Sequence, residues 1–292
     1  MSHIPELIAI TLAAAVVNGA LGYGFSSITV PLALFLVANR VLNPALVVVE
    51  VALNGYALWV NRDGLRDTWR RMLPIVIGLV PGIAAGTIAV AYVAPAWLKL
   101  WTFALLLPLI LLQAAGLRRP IRSERRWGIP VGAGIGGLYA LTTISGPPLA
   151  LLLNNQGLGK REFRAGLAFV RLGESTITAV AYAAAGLFTR EALILVPAVV
   201  PSLLIGVPVG VWLIARVNGE AFRRVCMSFD AWILAFGIAT LLRALHIVDG
   251  ASAYGVSVAV AVVDIALLCR FFGGRRVRPV AYSGPVPQES HP

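Results

Sequence analysis

Two stretches decide how this chain folds: Asn18-Gly-Ala-Leu-Gly-Tyr-Gly-Phe-Ser-Ser27 and, later, Gly134-Ile-Gly-Gly-Leu-Tyr-Ala-Leu-Thr-Thr-Ile-Ser-Gly-Pro-Pro148. Each interrupts a long apolar run with glycines and small hydroxylated residues. Such backbone survives in hydrocarbon only when it is buried in protein or lines a wet cavity, because each unsatisfied amide otherwise costs several kcal/mol. The two breaks are therefore expected to meet inside the protein.

That hydrocarbon is the solvent follows from composition. The 292 residues are 59% hydrophobic and 13% charged, with a mean hydropathy of +0.84, whereas soluble domains carry about 25% charge. Apolar runs long enough to span the bilayer as helices cover most of the chain, and runs such as Thr102 to Leu112 lack the alternation of a membrane barrel. The expected fold is all-α, a polytopic helical bundle. A net charge of +11 would suggest nucleic acid in a soluble chain; here most Lys and Arg lie in short loops, where they set topology, and no nucleic-acid partner is expected. Cys226 and Cys269 fall in separate apolar segments and His3, His246 and His291 are scattered, so the pattern implies no metal site, disulfide or cofactor. Met1 to Glu6 has no Lys or Arg, and the apolar run after it reads as mature structure rather than a signal peptide.

The chain is internally duplicated. Pro31-Leu-Ala-Leu-Phe-Leu36 recurs 117 residues later as Pro148-Leu-Ala-Leu-Leu-Leu153, and Pro81-Gly-Ile-Ala-Ala-Gly86 pairs with Pro201-Ser-Leu-Leu-Ile-Gly206 at an offset of 120. The expected organisation is a first repeat within 1–116, a basic linker 117–127, a second repeat 128–247, an appended helix in 248–274 and a disordered tail 275–292. Each repeat opens with the broken segment (5–38 and 128–156) and continues with three plain spans, near 44–61, 72–93 and 97–116 and near 165–187, 191–215 and 222–242. The appended span, 252–272, packs on its own protomer or forms an interface in a homo-oligomer.

Positive charge chooses the path of the broken segments, which are too long for one crossing and too short for two. Crossing once would divide the basic residues almost evenly between the two sides. If each segment instead enters and returns on one side, loops 62–71, 117–126, 160–164, 216–224 and 270–278 together hold 19 Lys and Arg, and only Arg40, Lys99, Arg190 and Arg243 face the other way. The positive-inside rule then makes the rich side and the C-terminus cytoplasmic in a multi-pass cell-membrane protein. The second repeat becomes inverted relative to the first, an arrangement that marks transporters.

Where the breaks meet, free helix amides and neutral donors suit an anion. The candidate binding residues are Asn18, Tyr23, Ser26, Ser27, Thr142, Thr143 and Ser145, supported by Gly146 and by Pro147 and Pro148, which fit the first turn of a new half-helix. The alternative for any single hydroxyl is a bond to its own backbone. Ionisable groups inside spans are costly and hence functional candidates; those singled out are Glu50, Arg171 and Glu174, all on the second segments, with Asn54 at the position equivalent to Glu174. Arg171 would supply the positive charge for an oxyanion and Glu50 or Glu174 a protonatable coupling group. Against this stands a structural ion pair between Arg171 and Glu174, three residues apart on one helix. Asp264, in the appended helix, reads as a lone structural or interface group. Gly132-Ala-Gly-Ile-Gly-Gly137 fits a dinucleotide pattern but has no strand before it and reads as a packing or hairpin feature, and Gly82-xxx-Gly86 and Gly206-xxx-Gly210 read as close helix contacts; Gly157-Leu-Gly-Lys160 lacks the rest of a nucleotide loop, and no acid/base or metal cluster for an enzyme is present at depth.

A Gly-rich break running into a Pro-Leu segment occurs twice, the second time as Ile144-Ser-Gly-Pro-Pro-Leu149 followed by Gly159-Lys-Arg-Glu-Phe-Arg-Ala165. Over residues 5–247 this resembles the TauE/SafE sulfite exporter family of membrane permeases. The resemblance implies export, or in some members uptake, of sulfite, sulfoacetate and other organosulfonates. It agrees with the anion site, and the expected function is a secondary transporter of small sulfur oxyanions that alternates access. A carboxylate or aromatic-acid permease, in which Tyr23, Phe25 and Tyr139 pack an apolar moiety, and a passive anion channel are the alternatives.

Overall fold

A computed structural model describes residues 4–115, 124–154, 156, 158–217 and 219–274. Residue 116, the linker's 117–123 and the tail expected to be disordered lie outside them. Eleven α-helices are present among the described residues: α1 (Ile4–Leu21), α2 (Phe25–Ala33), α3 (Asn39–Val60), α4 (Leu65–Tyr92), α5 (Pro95–Ala114), α6 (Glu124–Thr142), α7 (Gly146–Asn154), α8 (Lys160–Ala184), α9 (Arg190–Ile214), α10 (Gly219–Ala244) and α11 (Gly255–Gly274). There is no strand among them. Seven are long and apolar enough to cross a membrane: α1, α3, α4, α5, α9, α10 and α11. Also 25 residues long, α8 falls outside that set because its first turns carry Lys160, Arg161, Glu162 and Arg164 and its middle Arg171 and Glu174.

Both broken segments are pairs of helices, a long one followed by one of nine residues. The first break turns on glycine, with Gly22 at φ 79° and Gly24 at φ 108°, where a side chain would be strained. The second is narrower than the sequence suggests. Only residues 143–145 leave the helix, and the positive φ of 53° falls on Thr143. Gly134, Gly136 and Gly137 belong to α6 instead. Thr142 closes the turn: its hydroxyl donates to the Leu138 carbonyl at 2.7 Å and accepts from the Ile144 amide at 3.0 Å. The last turn of α6 leaves carbonyls without helical partners, and neighbouring helices supply them. Tyr182 of α8 donates to the Ala140 carbonyl, and Asn43 of α3 donates to that of Leu141 at 2.9 Å.

Two of the displaced glycines, Gly136 and Gly137, serve packing. A methyl on Gly82 would lie 1.9 Å from the Ala133 carbonyl oxygen, one on Gly132 2.1 Å from that of Ile75, and one on Gly136 2.6 Å from that of Leu79. These contacts rise together along both chains, so α4 and α6 run in the same direction, backbone against backbone. The same contact joins α9 to α1. Gly206 abuts Leu12 and Ala15, and a methyl on Gly210 would lie 1.9 Å from the Val16 carbonyl oxygen; Thr11 donates to Ser202 at 3.0 Å. Lipid offers no hydrophobic drive for helix pairing, so close van der Waals approach must supply it, and small residues permit that approach. Exchanging the repeats turns α4 and α6 into α9 and α1. The remaining equivalents meet their own counterparts, α3 on α8 and α5 on α10, with the Phe103 ring lying over Gly237.

Cations finish helix ends. Arg40 donates to the carbonyls of Val90, Ala91 and Val93 at 2.7 to 3.2 Å, which would otherwise be open at the end of α4, and Lys99 donates to that of Leu34 after α2. Both are favourable interactions with the negative end of a helix. At the opposite end of α4, Gly64 abuts Arg161 and Ala165, and Arg71 reaches the Gln156 carbonyl at 3.4 Å.

Two corrections concern charge. Asp264 is not alone: it accepts from Arg224 at 2.7 Å, both side chains being buried between α10 and α11. Arg224 consequently belongs inside α10 rather than to a loop. Asp230, buried in the same helix, is a further ionisable group within a span, hidden from the sequence by an otherwise apolar segment.

Candidate functional site

The two breaks touch. Gly146, the first residue of α7, lies so close to Tyr23 that an added methyl would stand 3.2 Å from the Tyr23 Cβ. Beneath this contact α3 crosses α8, and three charged residues of the two helices, Glu50, Arg171 and Glu174, meet there, each of them buried.

Glu50 of α3 is the centre. One carboxylate oxygen, Oε1, accepts from the Ser26 hydroxyl of α2 and from Arg171 Nη2 of α8 at 3.2 Å; the other, Oε2, accepts from the Tyr139 hydroxyl of α6 at 2.7 Å. Four helices, two from each repeat, thus converge on one side chain. Glu174, a turn beyond Arg171 on α8, is held by the Ser145 hydroxyl, which the second break provides. Its Oε1 has no hydrogen-bond partner, nor has Arg171 Nε. Glu50, Glu174 and Arg171 are close enough to interact electrostatically. One guanidinium is set among two carboxyl groups. Asn54 ties the helices beside them, its amide donating to the Arg171 carbonyl at 3.3 Å and to Ser175 at 3.4 Å.

Of the residues predicted for the site, Ser26, Glu50, Asn54, Ser145, Arg171 and Glu174 are therefore brought together. Others stay with their own backbone. Ser27 donates to the Gly24 carbonyl at 3.1 Å, Thr143 to the Thr142 carbonyl at 2.7 Å, and Thr142 serves the turn. Asn18 is buried near the end of α1 with its Oδ1 unpartnered. The backbone at Pro147 and Pro148 opens α7, where missing amides cost nothing. Arg171 makes its ion pair with Glu50 rather than within its own helix. Tyr139 was weighed only as an apolar wall; its place one helical turn before the second break, with its hydroxyl free to reach across, is the signal that could have assigned it a polar role.

What can such an arrangement do? A fixed cation with neutral hydroxyl donors at half-helix breaks can recognise anions, and a carboxylate in the same cluster can trade a proton. The model of the family described as Sulfite exporter TauE/SafE matches residues 7–240. The chain belongs to this family. Its members are transporters, not enzymes, so the protein is a multi-pass membrane transporter whose family implies a small anionic substrate. No curated protein and no solved structure matches the chain.

Proposed function

We propose that the protein is a secondary transporter of small sulfur oxyanions, sulfite and organosulfonates such as sulfoacetate, that exports them from the cell by alternating access. The single observation that carries this reading is the meeting of Arg171 with serine hydroxyls from the neighbourhood of both breaks in one buried cluster. Substrate binds among Ser26, Ser145, Arg171 and the half-helix ends, and one of the two carboxyl groups, Glu50 or Glu174, couples the movement to protons.

The two repeats are inverted in this reading. Contacts at the helix ends support it: residues 64 and 71 lie with 156 and 161, while 34 and 40 lie with 90–99. A chain that starts α6 beside Pro74 and starts α8 beside Gly64 has entered and returned on one side. The stretches gathered there, 62–71 and 160–164, are basic, and the positive-inside rule assigns them to the cytoplasm.

Binding of sulfite, sulfoacetate, taurine and acetate to the purified protein, followed by thermal shift, tests the substrate class. Stabilisation by the sulfur anions and not by acetate, lost in a folded Arg171→Ala variant, is the expected result. Equal stabilisation by acetate would move the assignment to a carboxylate permease, and unchanged affinity in Arg171→Ala would remove the arginine from the site.

A further inference from the structure

Within that reading, we infer that Glu50 is a tethered competitor of the transported anion: its carboxylate sits in the donor set built for substrate, and protonation of Glu50 releases those donors to the incoming anion. The inference rests on the transporter reading for the identity of the anion. It rests on geometry for the competition.

The donors come first. Ser26, Tyr139 and Arg171 belong to three different helices, yet all aim at the two oxygens of one side chain, and both oxygens are satisfied. A carboxylate has two oxygens; a sulfonate or sulfite has three. The buried Arg171 Nε has no partner when Glu50 occupies the site. A buried cationic donor without an acceptor is costly, and a third oxygen would remove that cost. The donor set thus suits a three-oxygen anion better than the carboxylate now in it.

A second anion beside the Glu50 carboxylate would leave one of two buried negative charges without a cation, at a large cost. Among the described residues of the helices packed on α3, the charged or titratable groups that face Glu50 are Arg171, Glu174 and Tyr139; α2 offers the Ser26 hydroxyl. The remaining charges on α4, α5 and α9 lie toward their ends, at Arg66, Asp67, Arg70, Arg71, Lys99, Arg190 and Glu191, and Arg40 opens α3 itself. Arg171 is therefore the cation to be contested. When Glu50 takes up a proton, an O–H bond forms on its carboxylate, the ion pair with Arg171 is lost, and the anion takes the guanidinium. One proton and one negative charge enter together, and the charge of the cluster does not change. A monoanion then moves with one proton and without net charge.

Methanesulfonate is the probe, because it stays a monoanion from pH 5 to 8 and any pH dependence belongs to the protein. Calorimetry on the full chain in detergent, repeated in buffers of different ionisation enthalpy, gives affinity and protons taken up per anion. For wild type, uptake of about one proton per anion and an affinity that weakens by up to about tenfold per pH unit are expected in the range where Glu50 is ionised. Glu50→Gln should bind at least as tightly as wild type at its most acidic pH, with no pH dependence and no proton uptake. Glu174→Gln should keep both. Zero uptake in wild type overturns the proposal without any variant. So does a pH slope that survives in Glu50→Gln, or one that disappears in Glu174→Gln instead. Those results leave the transporter reading standing; failure of wild type to bind methanesulfonate, sulfite or sulfoacetate at any pH would remove both.

Discussion

Glu50 and Glu174 stand on equivalent helices of the two repeats, and their surroundings differ. Glu50 receives donors at both oxygens, from three helices. Glu174 receives one, from Ser145, and leaves an oxygen without a partner. The crossing holds a carboxyl group on each helix but only one guanidinium: at the 120-residue offset of the sequence match, Val51 stands on α3 where Arg171 stands on α8. A single arginine at the crossing of α3 and α8 therefore decides which carboxylate it neutralises.

Removing the arginine should have the largest effect on this difference. Arg171→Ala leaves the Glu50 carboxylate buried without its cation, and breaking such a pair costs about 3–5 kcal/mol. The Arg171→Ala/Glu50→Gln double variant should recover most of that loss in unfolding measurements; a double variant as unstable as the single would mean that the pair is not coupled. Glycine substitutions test the symmetric part of the comparison. Gly82→Ala and Gly210→Ala each push a methyl against a carbonyl oxygen, so each should destabilise by about 1–3 kcal/mol or more, and by similar amounts. Gly134→Ala, with nothing within 4 Å, is the neutral control in the same thermal melts.

The serines sharpen the asymmetric part. Ser145→Ala removes the hydroxyl that holds Glu174, at a cost of about 1–3 kcal/mol, whereas Ser26→Ala leaves Glu50 with Tyr139 and Arg171 and should cost about 1 kcal/mol. Equal losses would contradict the difference in donor supply. The smallest effect is expected at the breaks. Gly22→Ala places a side chain at φ 79° and should destabilise by about 1 kcal/mol, while Thr143→Gly relieves a strained φ of 53° and should be neutral or slightly stabilising. Differential scanning fluorimetry of the two variants side by side measures the sign.

Much of this was legible in the sequence because the bilayer imposes strong rules. Apolar length located the helices, and the glycine pairs at 82/86 and 206/210 foretold close helix contacts. The misses have physical causes. Composition cannot tell a glycine that turns the chain from one that lets another backbone approach, so Gly136 and Gly137 read both as part of the break and as packing residues; α6 runs through them and only the packing role holds. Helix spacing put Arg171 beside Glu174, but a tertiary crossing offered it Glu50. Hydroxyls at 27, 142 and 143 had local acceptors within reach, and took them. Tyr139 and Asp230 were masked by their apolar neighbours, since hydropathy averages over the window that contains them.

The parallel pairing of α1 with α9 also bears on how the protein is made. Gly210 follows Val16 by 194 residues, so the first helix enters the membrane long before the surface that covers it has been synthesised. During that interval its small-residue face must wait among lipids or translocation machinery, while α4 and α6, far nearer in sequence, can already join. Biogenesis should accordingly proceed from the middle of the chain outward, and α1, although made long before α9, should be among the last of these helices to find its place.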